Sequence, residues 1–201
     1  MTRLASKKHS RWQDHYSRQA KKEQFPARSV YKLKEIQKKH HLIKKGDKVL
    51  DLGCFPGSWL LYAANLTGDK GQVTGIDLVP VAVKVPSHVR TYTGDVFTMG
   101  EAFFRSLGKD FDIVISDMAP ATTGNKHVDS ARSYNLCQAT LSIAKSVLIQ
   151  GGSFVCKIFQ GEDVKLFSDD VGSVFKKYKF FKPQSSRKTS KEIYIIGMGK
   201  K

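Results

Sequence analysis

Four aspartates at the ends of short apolar segments are the first sign of chemistry in this chain. They are Asp51 in VLDLG, Asp77 in VTGID, Asp95 in TGD and Asp117 in IVISD. A single aspartate at a strand end is usually a turn or a helix cap. If the segments are parallel strands, however, their carboxyl ends share one edge of a sheet, where ligands bind in open α/β folds. Four acids at that edge favour a shared ligand.

The glycine turn that follows the first of these aspartates narrows the class of ligand. Gly53 and Gly57 lie within the segment DLGCFPGSW. Such a strand-to-helix turn lets a ligand approach the backbone and the helix N-terminus. A dinucleotide enzyme would carry G-x-G-x-x-G here, whereas this turn reads G-x-x-x-G. The sequence therefore favours an adenosine derivative without a pyrophosphate, and S-adenosylmethionine fits that description.

The remaining aspartates suggest how such a nucleoside would be held. Asp77 lies 24 residues beyond Gly53, where a carboxylate can bind ribose hydroxyls. Asp95 would accept a hydrogen bond from the adenine amino group, and Asp117 would lie near the sulfonium and the amino-acid end. The two aromatic residues of the turn, Phe55 and Trp59, are as consistent with core packing as with ligand contact.

The signatures of two kinds of base methylation are missing. Methylation of a base amino group usually shows Asn/Asp-Pro-Pro-aromatic after the fourth strand, where this chain reads SDMAP. Methylation of cytosine carbon needs a thiolate, and neither Cys54 nor Cys156 has an identifiable histidine partner. Transfer to an oxygen remains. A ribose hydroxyl is a weak acid, so it must be aligned and relieved of its proton.

One lysine of the sequence could accept the proton of that hydroxyl. Lys157 interrupts the apolar segment FVCKIF, and buried lysines are uncommon. Burial would favour the neutral amine, which can act as a base. A structural lysine paired with a neighbouring acid explains the same pattern, and the residues alone leave both interpretations open.

Positive charge is concentrated at the two ends of the chain. The net charge is +16, with 15 Lys and Arg against 4 Asp and Glu in residues 1–48, and 9 against 1 in residues 176–201. Residues 49–175 hold 10 against 13. A near-neutral centre between basic ends is typical of a catalytic core flanked by surfaces for a polyanion such as RNA. Lysine-rich solvated tails are the alternative.

The length and the pattern of elements predict a single α/β domain over residues 1–201. The predicted helices cover 10–23, 28–41, 58–66, 99–107, 129–149 and 162–176, and the predicted strands cover 48–52, 72–77, 89–93, 111–117, 152–159, 177–183 and 191–198. This alternation indicates a mainly parallel seven-stranded sheet with helices on both faces. The basic N-terminus has no apolar segment behind it and no metal-ligand spacing is visible, so we expect a cytoplasmic protein without a metal.

Several stretches together make the sequence resemble the FtsJ/RrmJ-type large-subunit ribosomal RNA 2′-O-methyltransferases, the methyltransferase E family. They are SRWQDHYSRQAKK, ARSVYKLKEI, VLDLGCFPGSW, GDVF, SDMAP, GGSFVCKIFQGE and SSRKTSKEIYIIGMG. The resemblance covers nearly the whole chain and implies a Rossmann-like fold that binds S-adenosylmethionine and releases S-adenosylhomocysteine.

The resemblance also implies roles for individual residues. The family's catalytic Lys-Asp-Lys-Glu tetrad falls on Lys32, Asp117, Lys157 and Glu192. Its cofactor contacts fall on Gly57, Trp59, Asp77, Asp95 and Asp117, beside the turn glycine Gly53, which makes Trp59 an expected ligand contact. One departure is visible: this turn reads CFPGSW where the family commonly has a form such as APGGW, so Phe55 and Ser58 replace smaller residues.

What the resemblance implies about function is specific. The expected reaction is methylation of a ribose 2′-oxygen, of a uridine, in large-subunit ribosomal RNA within the 50S ribosomal subunit, by a monomer. Lys157 would take or orient the hydroxyl proton, and the basic segment 1–48 with Arg187, Lys188 and Lys191 would hold RNA phosphates. A tRNA 2′-O-methyltransferase, an RNA-binding assembly factor that does not depend on catalysis and a small-molecule O-methyltransferase are the alternatives.

Overall fold

A computed structural model describes residues 15–201, and within them helices alternate with strands as the sequence predicts. The helices are α1 (residues 15–22), α2 (Val30–His40), α3 (Ser58–Thr67), α4 (Glu101–Ser106), α5 (Lys126–Val147) and α6 (Asp163–Val174). The strands are β1 (Lys48–Leu52), β2 (Gln72–Asp77), β3 (Val89–Thr93), β4 (Phe111–Ser116), β5 (Leu148–Phe159), β6 (Phe175–Phe181) and β7 (Glu192–Lys200). The part of the first predicted helix that precedes residue 15 lies outside the described residues.

The strands form one sheet in the order β3-β2-β1-β4-β5-β7-β6. The pairs from β3 to β5 are parallel, and β7 runs antiparallel to both β5 and β6. The expected mainly parallel, seven-stranded, Rossmann-like fold is thus confirmed. Because β1 to β5 point the same way, their carboxyl ends meet at one edge, and the strand-end aspartates gather there.

The inner strands, such as β1, β2 and β4, bury both faces and read as nearly continuous apolar runs, whereas the outer strands β3 and β6 are largely exposed. Alternate residues point to opposite sides. Leu50 and Leu52 of β1 therefore pack in the core layer covered by α4, α5 and α6. Their neighbour Val49 packs in the second layer with residues of α2 and α3.

The limits of β4, β5, β6 and β7 differ from the prediction, those of β6 and β7 by one or two residues at each end. β4 ends at Ser116, the last residue that pairs with β5, so Asp117 lies just beyond the strand. β5 starts at Leu148, directly after α5, because Leu148 already pairs with Phe111 before the register shifts. The residues between the two paired stretches include Gly151, whose φ of +82° suits a bend in the strand.

Cys54, Cys137 and Cys156 are buried and free, and each packs among apolar residues. No helix within the described part of the chain is long and apolar enough to cross a membrane.

Candidate active site

The turn between β1 and α3 is closed by two glycines that other residues could not replace. Gly53 has φ of +80°, and a Cβ there would lie 2.2 Å from the Cγ atom of Met118. Gly57, at the start of α3, has φ of +110°, and a Cβ would lie 2.8 Å from a methyl group of Val83. Only glycine combines this backbone with such close neighbours. The turn therefore packs closely against the carboxyl edge of the sheet.

Beyond that edge lies a cavity of about 280 Å³, the cofactor cavity. Its wall consists of residues that follow β1, β2, β3 and β4, together with one residue of α5: Gly53, Phe55, Ile76, Asp77, Leu78, Gly94, Asp95, Val96, Phe97, Asp117, Met118, Ala119 and Leu136. Apolar side chains and glycine backbone alternate with three carboxylates. This mixture suits an adenosine ring system, a ribose and a cationic end group.

Hydrogen bonds from the backbone fix two of these carboxylates in place. Asp77 accepts one from the backbone N of Phe55 and one from that of Val79, both at 2.9 Å. Asp95 accepts one from the backbone N of Phe97, also at 2.9 Å. Each carboxylate oxygen has a further lone pair, so both groups can still accept hydrogen bonds from a nucleoside.

Asp51 is the one strand-end acid that does not face the cavity. It lies within β1, is 0% exposed, and neither carboxylate oxygen has a hydrogen-bond partner among the described residues. Burial, followed by the charges of Asp117 and Asp77, raises the pKa of Asp51 well above its ordinary value. Burial therefore favours the protonated, neutral form of this carboxyl.

Trp59 and Ser58 connect the start of α3 to the segment that leads into α2. The Trp59 ring is 3% exposed, and its Nε1 donates to the backbone O of Ser29 at 2.9 Å. Ser58 Oγ accepts from the backbone N of Ala27 at 2.7 Å and donates to its backbone O at 3.1 Å. The serine that departs from the family pattern thus ties the cofactor turn to α2.

The four residues of the tetrad, although far apart in sequence, are in direct contact. Lys157 Nζ lies 3.0 Å from Asp117 Oδ1 and donates to the Asp117 backbone O at 2.5 Å. Lys32 Nζ lies 3.6 Å from the same Oδ1 and 2.9 Å from Glu192 Oε2. Two ammonium groups therefore share one carboxylate at the mouth of the cofactor cavity. The sequence left open whether Lys157 is a base or a structural lysine paired with an acid. Asp117 is the acid that pairs with it.

A fifth residue, Tyr194, belongs to this cluster although sequence reasoning missed it. Its hydroxyl donates to Asp117 Oδ1 at 2.6 Å, and its ring stacks on Trp59 with centroids 5.8 Å apart. Burial raises the pKa of the Asp117 carboxyl, but Lys157, Lys32 and the Tyr194 hydroxyl outweigh burial and hold that pKa below its ordinary value. The signal that could have found Tyr194 is its pairing directly opposite Lys157 in the sheet.

The predicted site residues fall into three groups in the structure. Gly53, Asp77, Asp95 and Asp117 line the cofactor cavity. Lys32, Asp117, Lys157 and Glu192 form the tetrad, so Asp117 joins the two groups. Gly57 and Trp59 support the turn from behind rather than standing on the cavity wall, and their contact with the cofactor stays a prediction.

A comparison with protein families establishes the family to which the chain belongs. The family described as FtsJ-like methyltransferase matches residues 25–200, which include the cofactor turn and the whole tetrad. The chain belongs to the FtsJ-like methyltransferases. S-adenosylmethionine is therefore the methyl donor, and the cavity with its glycine turn and carboxylates fits that cofactor.

Curated relatives in this family are similar over almost their full length. "Ribosomal RNA large subunit methyltransferase E" of Desulforapulum autotrophicum is 57% identical over 194 residues, which are 96% of each chain. The protein of the same name from Bdellovibrio bacteriovorus is 47% identical over 94% of this chain and 97% of its own.

Two solved structures have a similar fold. A crystal structure described as a ribosomal RNA methyltransferase from Plasmodium falciparum has a TM-score of 0.78 at 25% identity, over 88% of this chain and 98% of that one. Fibrillarin from Aeropyrum pernix, solved with S-adenosylmethionine bound, has a TM-score of 0.59 at 18% identity, over 78% and 68%. The second likeness concerns the fold alone.

Proposed function

We propose that this chain transfers the methyl group of S-adenosylmethionine to the 2′-oxygen of a ribose, that of a uridine, in large-subunit ribosomal RNA. The substrate is the RNA within the 50S ribosomal subunit, and the protein acts as a monomer. The observation that carries the proposal is the position of Asp117, which lines the cofactor cavity and holds both Lys157 and Lys32. The names of the relatives, all ribosomal RNA large-subunit methyltransferases, support the choice of RNA.

The reaction needs an oxygen aligned with a methyl carbon and a path for the hydroxyl proton. Bound S-adenosylmethionine supplies an electrophilic methyl group. Lys157, whose side chain is 7% exposed, first loses its own proton to solvent, and its neutral Nζ then accepts the proton of the 2′-hydroxyl as the oxygen attacks. Asp117 stabilises the ammonium group that results, because it lies 3.0 Å away.

The other two members of the tetrad position the substrate. Lys32 is held between Asp117 and Glu192, so its ammonium group has a fixed direction. From there it can donate a hydrogen bond to a ribose or phosphate oxygen and keep the 2′-hydroxyl against Lys157. Asp77, at the far side of the cavity, holds the cofactor ribose, so its removal weakens cofactor binding rather than the transfer step.

Transfer of a tritiated methyl group tests this proposal. The acceptors are 50S subunits from cells that lack the enzyme, naked large-subunit ribosomal RNA and bulk tRNA. The wild type is compared with Lys157→Ala and with the matched control Lys70→Ala. Lys70 is exposed in the turn before β2, away from the carboxyl ends of the strands where the tetrad lies. We expect label in the 50S subunit that Lys157→Ala abolishes and Lys70→Ala retains, with cofactor affinity unchanged in both.

Three other outcomes would each contradict a part of the proposal. Label in tRNA alone would preserve the chemistry and overturn the substrate. Wild-type turnover by Lys157→Ala would overturn the role of this lysine. Cofactor binding without label in any acceptor would favour the assembly factor that does not depend on catalysis.

A further inference from the structure

The loop between β6 and β7, residues 182–191, is held beside the tetrad by side chains from the region of α2. Glu35 accepts hydrogen bonds from the backbone N of Gln184 at 2.6 Å and of Ser185 at 2.8 Å. Arg28 Nη2 donates to the backbone O of Ser185 at 2.7 Å. The loop is therefore fixed relative to α2, the helix that carries the first lysine of the tetrad.

Two guanidinium groups lie near this junction, since Arg28 bonds to Ser185 and Arg187 follows Ser185 by two residues in the loop. Burial, followed by the positive charge of nearby Arg187, lowers the pKa of Arg28. Neither arginine forms a salt bridge with any residue of the 15–201 range. The acids close by are already engaged, since Glu192 pairs with Lys32 and Glu35 binds the loop backbone. Glu192 also attracts Arg28, but its Oε2 is bonded to Lys32, so two like charges remain that are suited to an anion.

The same junction holds polar atoms without partners. Arg28 Nη1, Ser185 Oγ and Ser186 Oγ are buried, and none has a hydrogen-bond partner among the described residues. Ser185 is 2% exposed. Buried polar groups in proteins are almost always hydrogen-bonded, so three unsatisfied atoms at one place indicate that an acceptor is missing.

The start of α2 adds to the positive potential. This helix of 11 residues has no side-chain cap from Ser29 and no acidic residue in its first turn. The first N–H groups of α2 are bonded to the preceding turn, as in the bond from Tyr31 N to Arg28 O at 3.2 Å, so the helix favours negative charge through its dipole.

We propose that Arg28 and Arg187 bind one phosphodiester group of the substrate RNA, next to the ribose that the tetrad holds. The site rests on the proposed function for its ligand. A guanidinium group matches two phosphate oxygens at once, and this geometry gives both affinity and register. Arg28 lies four residues before Lys32, in the turn that leads into α2, so one nucleotide can contact both. The oxygens of the phosphate would supply the acceptors that the junction lacks.

Salt-dependent RNA binding tests the site. The probe is an in vitro transcript of bacterial large-subunit ribosomal RNA, measured by filter binding between about 50 and 200 mM salt. Arg187→Gln and Arg28→Gln are compared with Arg90→Gln, because Arg90 is an exposed arginine on β3, at the opposite edge of the sheet. We expect each site variant to bind RNA about 10-fold more weakly and to reduce the slope of log K against log salt by about one. Arg90→Gln should change neither.

Arg187→Gln is the deciding variant if Arg28→Gln unfolds, since the Arg187 side chain is exposed and forms no hydrogen bond or salt bridge within residues 15–201. An unchanged affinity and salt slope for Arg187→Gln, in a protein with wild-type Tm, would overturn the phosphate site. Cofactor binding and methyl transfer by the wild type are measured in the same preparations. Methyl transfer with an unchanged slope rejects the site alone. A reduced slope without methyl transfer rejects the reaction and leaves the phosphate site standing.

Discussion

At the scale of single residues, one methyl group decides whether the cofactor turn can close. Gly53→Ala would bring a Cβ to 2.2 Å from Met118 at φ of +80°, so we expect the loss of S-adenosylmethionine binding. Gly46→Ala is the matched control, because Gly46 has a similar φ of +88° and open space around it. Isothermal titration with S-adenosylhomocysteine measures both variants. Equal affinities in the two would show that the close approach to Met118 is unimportant.

Tyr194 gives a second prediction, which concerns pH. Its hydroxyl helps to lower the pKa of Asp117, so Tyr194→Phe raises that pKa relative to the wild type. Activity needs the ionised carboxylate and is lost as the pH falls through its pKa. The acid limb of the kcat profile should therefore move to higher pH, and kcat near neutral pH should fall about 10-fold, the equivalent of about 1.4 kcal/mol.

Tyr178→Phe is the control for this experiment, because Tyr178 is exposed on β6 and is remote from the tetrad along the sheet. A kcat profile of Tyr194→Phe that superimposes on that of Tyr178→Phe would remove Tyr194 from the catalytic arrangement.

Asp51 gives a prediction about stability. Its pKa is raised in the folded protein, so the unfolded chain loses this proton above about pH 4 while the folded protein keeps it. The folded state then binds more protons, and the free energy of unfolding falls as the pH rises until the folded pKa is passed. Asp51→Asn should flatten this fall and raise stability near pH 8. Urea denaturation between pH 5 and pH 9 measures it, and a parallel fall in both proteins would contradict it.

The residues of the sequence alone predicted the strand-end acids and Lys157 as site residues, but not Tyr194. The acids are marked locally, by the apolar segment before each of them. The role of Tyr194 depends on the antiparallel pairing of β7 with β5, which places it opposite Lys157. Read along the chain, the tyrosine in EIYII is simply one more strand residue. Lys32 and Glu192 were reached only through the family resemblance, for the same reason.

At the scale of elements, the contact between α3 and α2 can be tested through Ser58. Ser58→Ala removes two hydrogen bonds to Ala27, one of them at 2.7 Å, and leaves the backbone groups of Ala27 without these partners. We expect a loss of about 2 kcal/mol in the free energy of unfolding and a fall in Tm of about 5 °C. Differential scanning calorimetry measures both quantities.

Ser106→Ala serves as the reference for that experiment. Ser106 bonds only to the backbone O of Phe103, within an exposed part of α4. If Ser58→Ala melted at the same temperature as Ser106→Ala, the contact between α3 and α2 would be dispensable for stability.

The elements themselves were largely predictable, because helix and strand periods are local properties of the sequence. The limits of β1, β2 and β3 agree with the prediction to the residue. The start of β5 was wrong because its first residues pair with β4 out of register, which no local pattern reveals. The order of the last two strands, with β7 inserted between β5 and β6, is likewise a property of the whole sheet.

At the scale of the whole molecule, the described part of the basic N-terminal segment contacts the basic C-terminal segment. Residues 176–201 form β6, β7 and the loop between them, at one edge of the sheet. Glu35 and Arg28 bring the region of α2 to that loop. Regions that are distant in sequence thus form one positively charged side next to the tetrad, which supports the sequence-based prediction of a polyanion surface.

The contacts of Ser58 and Trp59 with the segment before α2 have a thermodynamic consequence. They join the cofactor turn to the side of the molecule that receives RNA, so cofactor binding should strengthen RNA binding, and RNA must strengthen cofactor binding by the same factor. We expect about a 5-fold effect when RNA affinity is measured with and without S-adenosylhomocysteine, and a smaller one in Trp59→Phe, which lacks the Nε1–H donor. Equal RNA affinities in the two conditions would exclude this cooperativity. A protein that has just released its spent cofactor would then hold its RNA less tightly and leave the finished product.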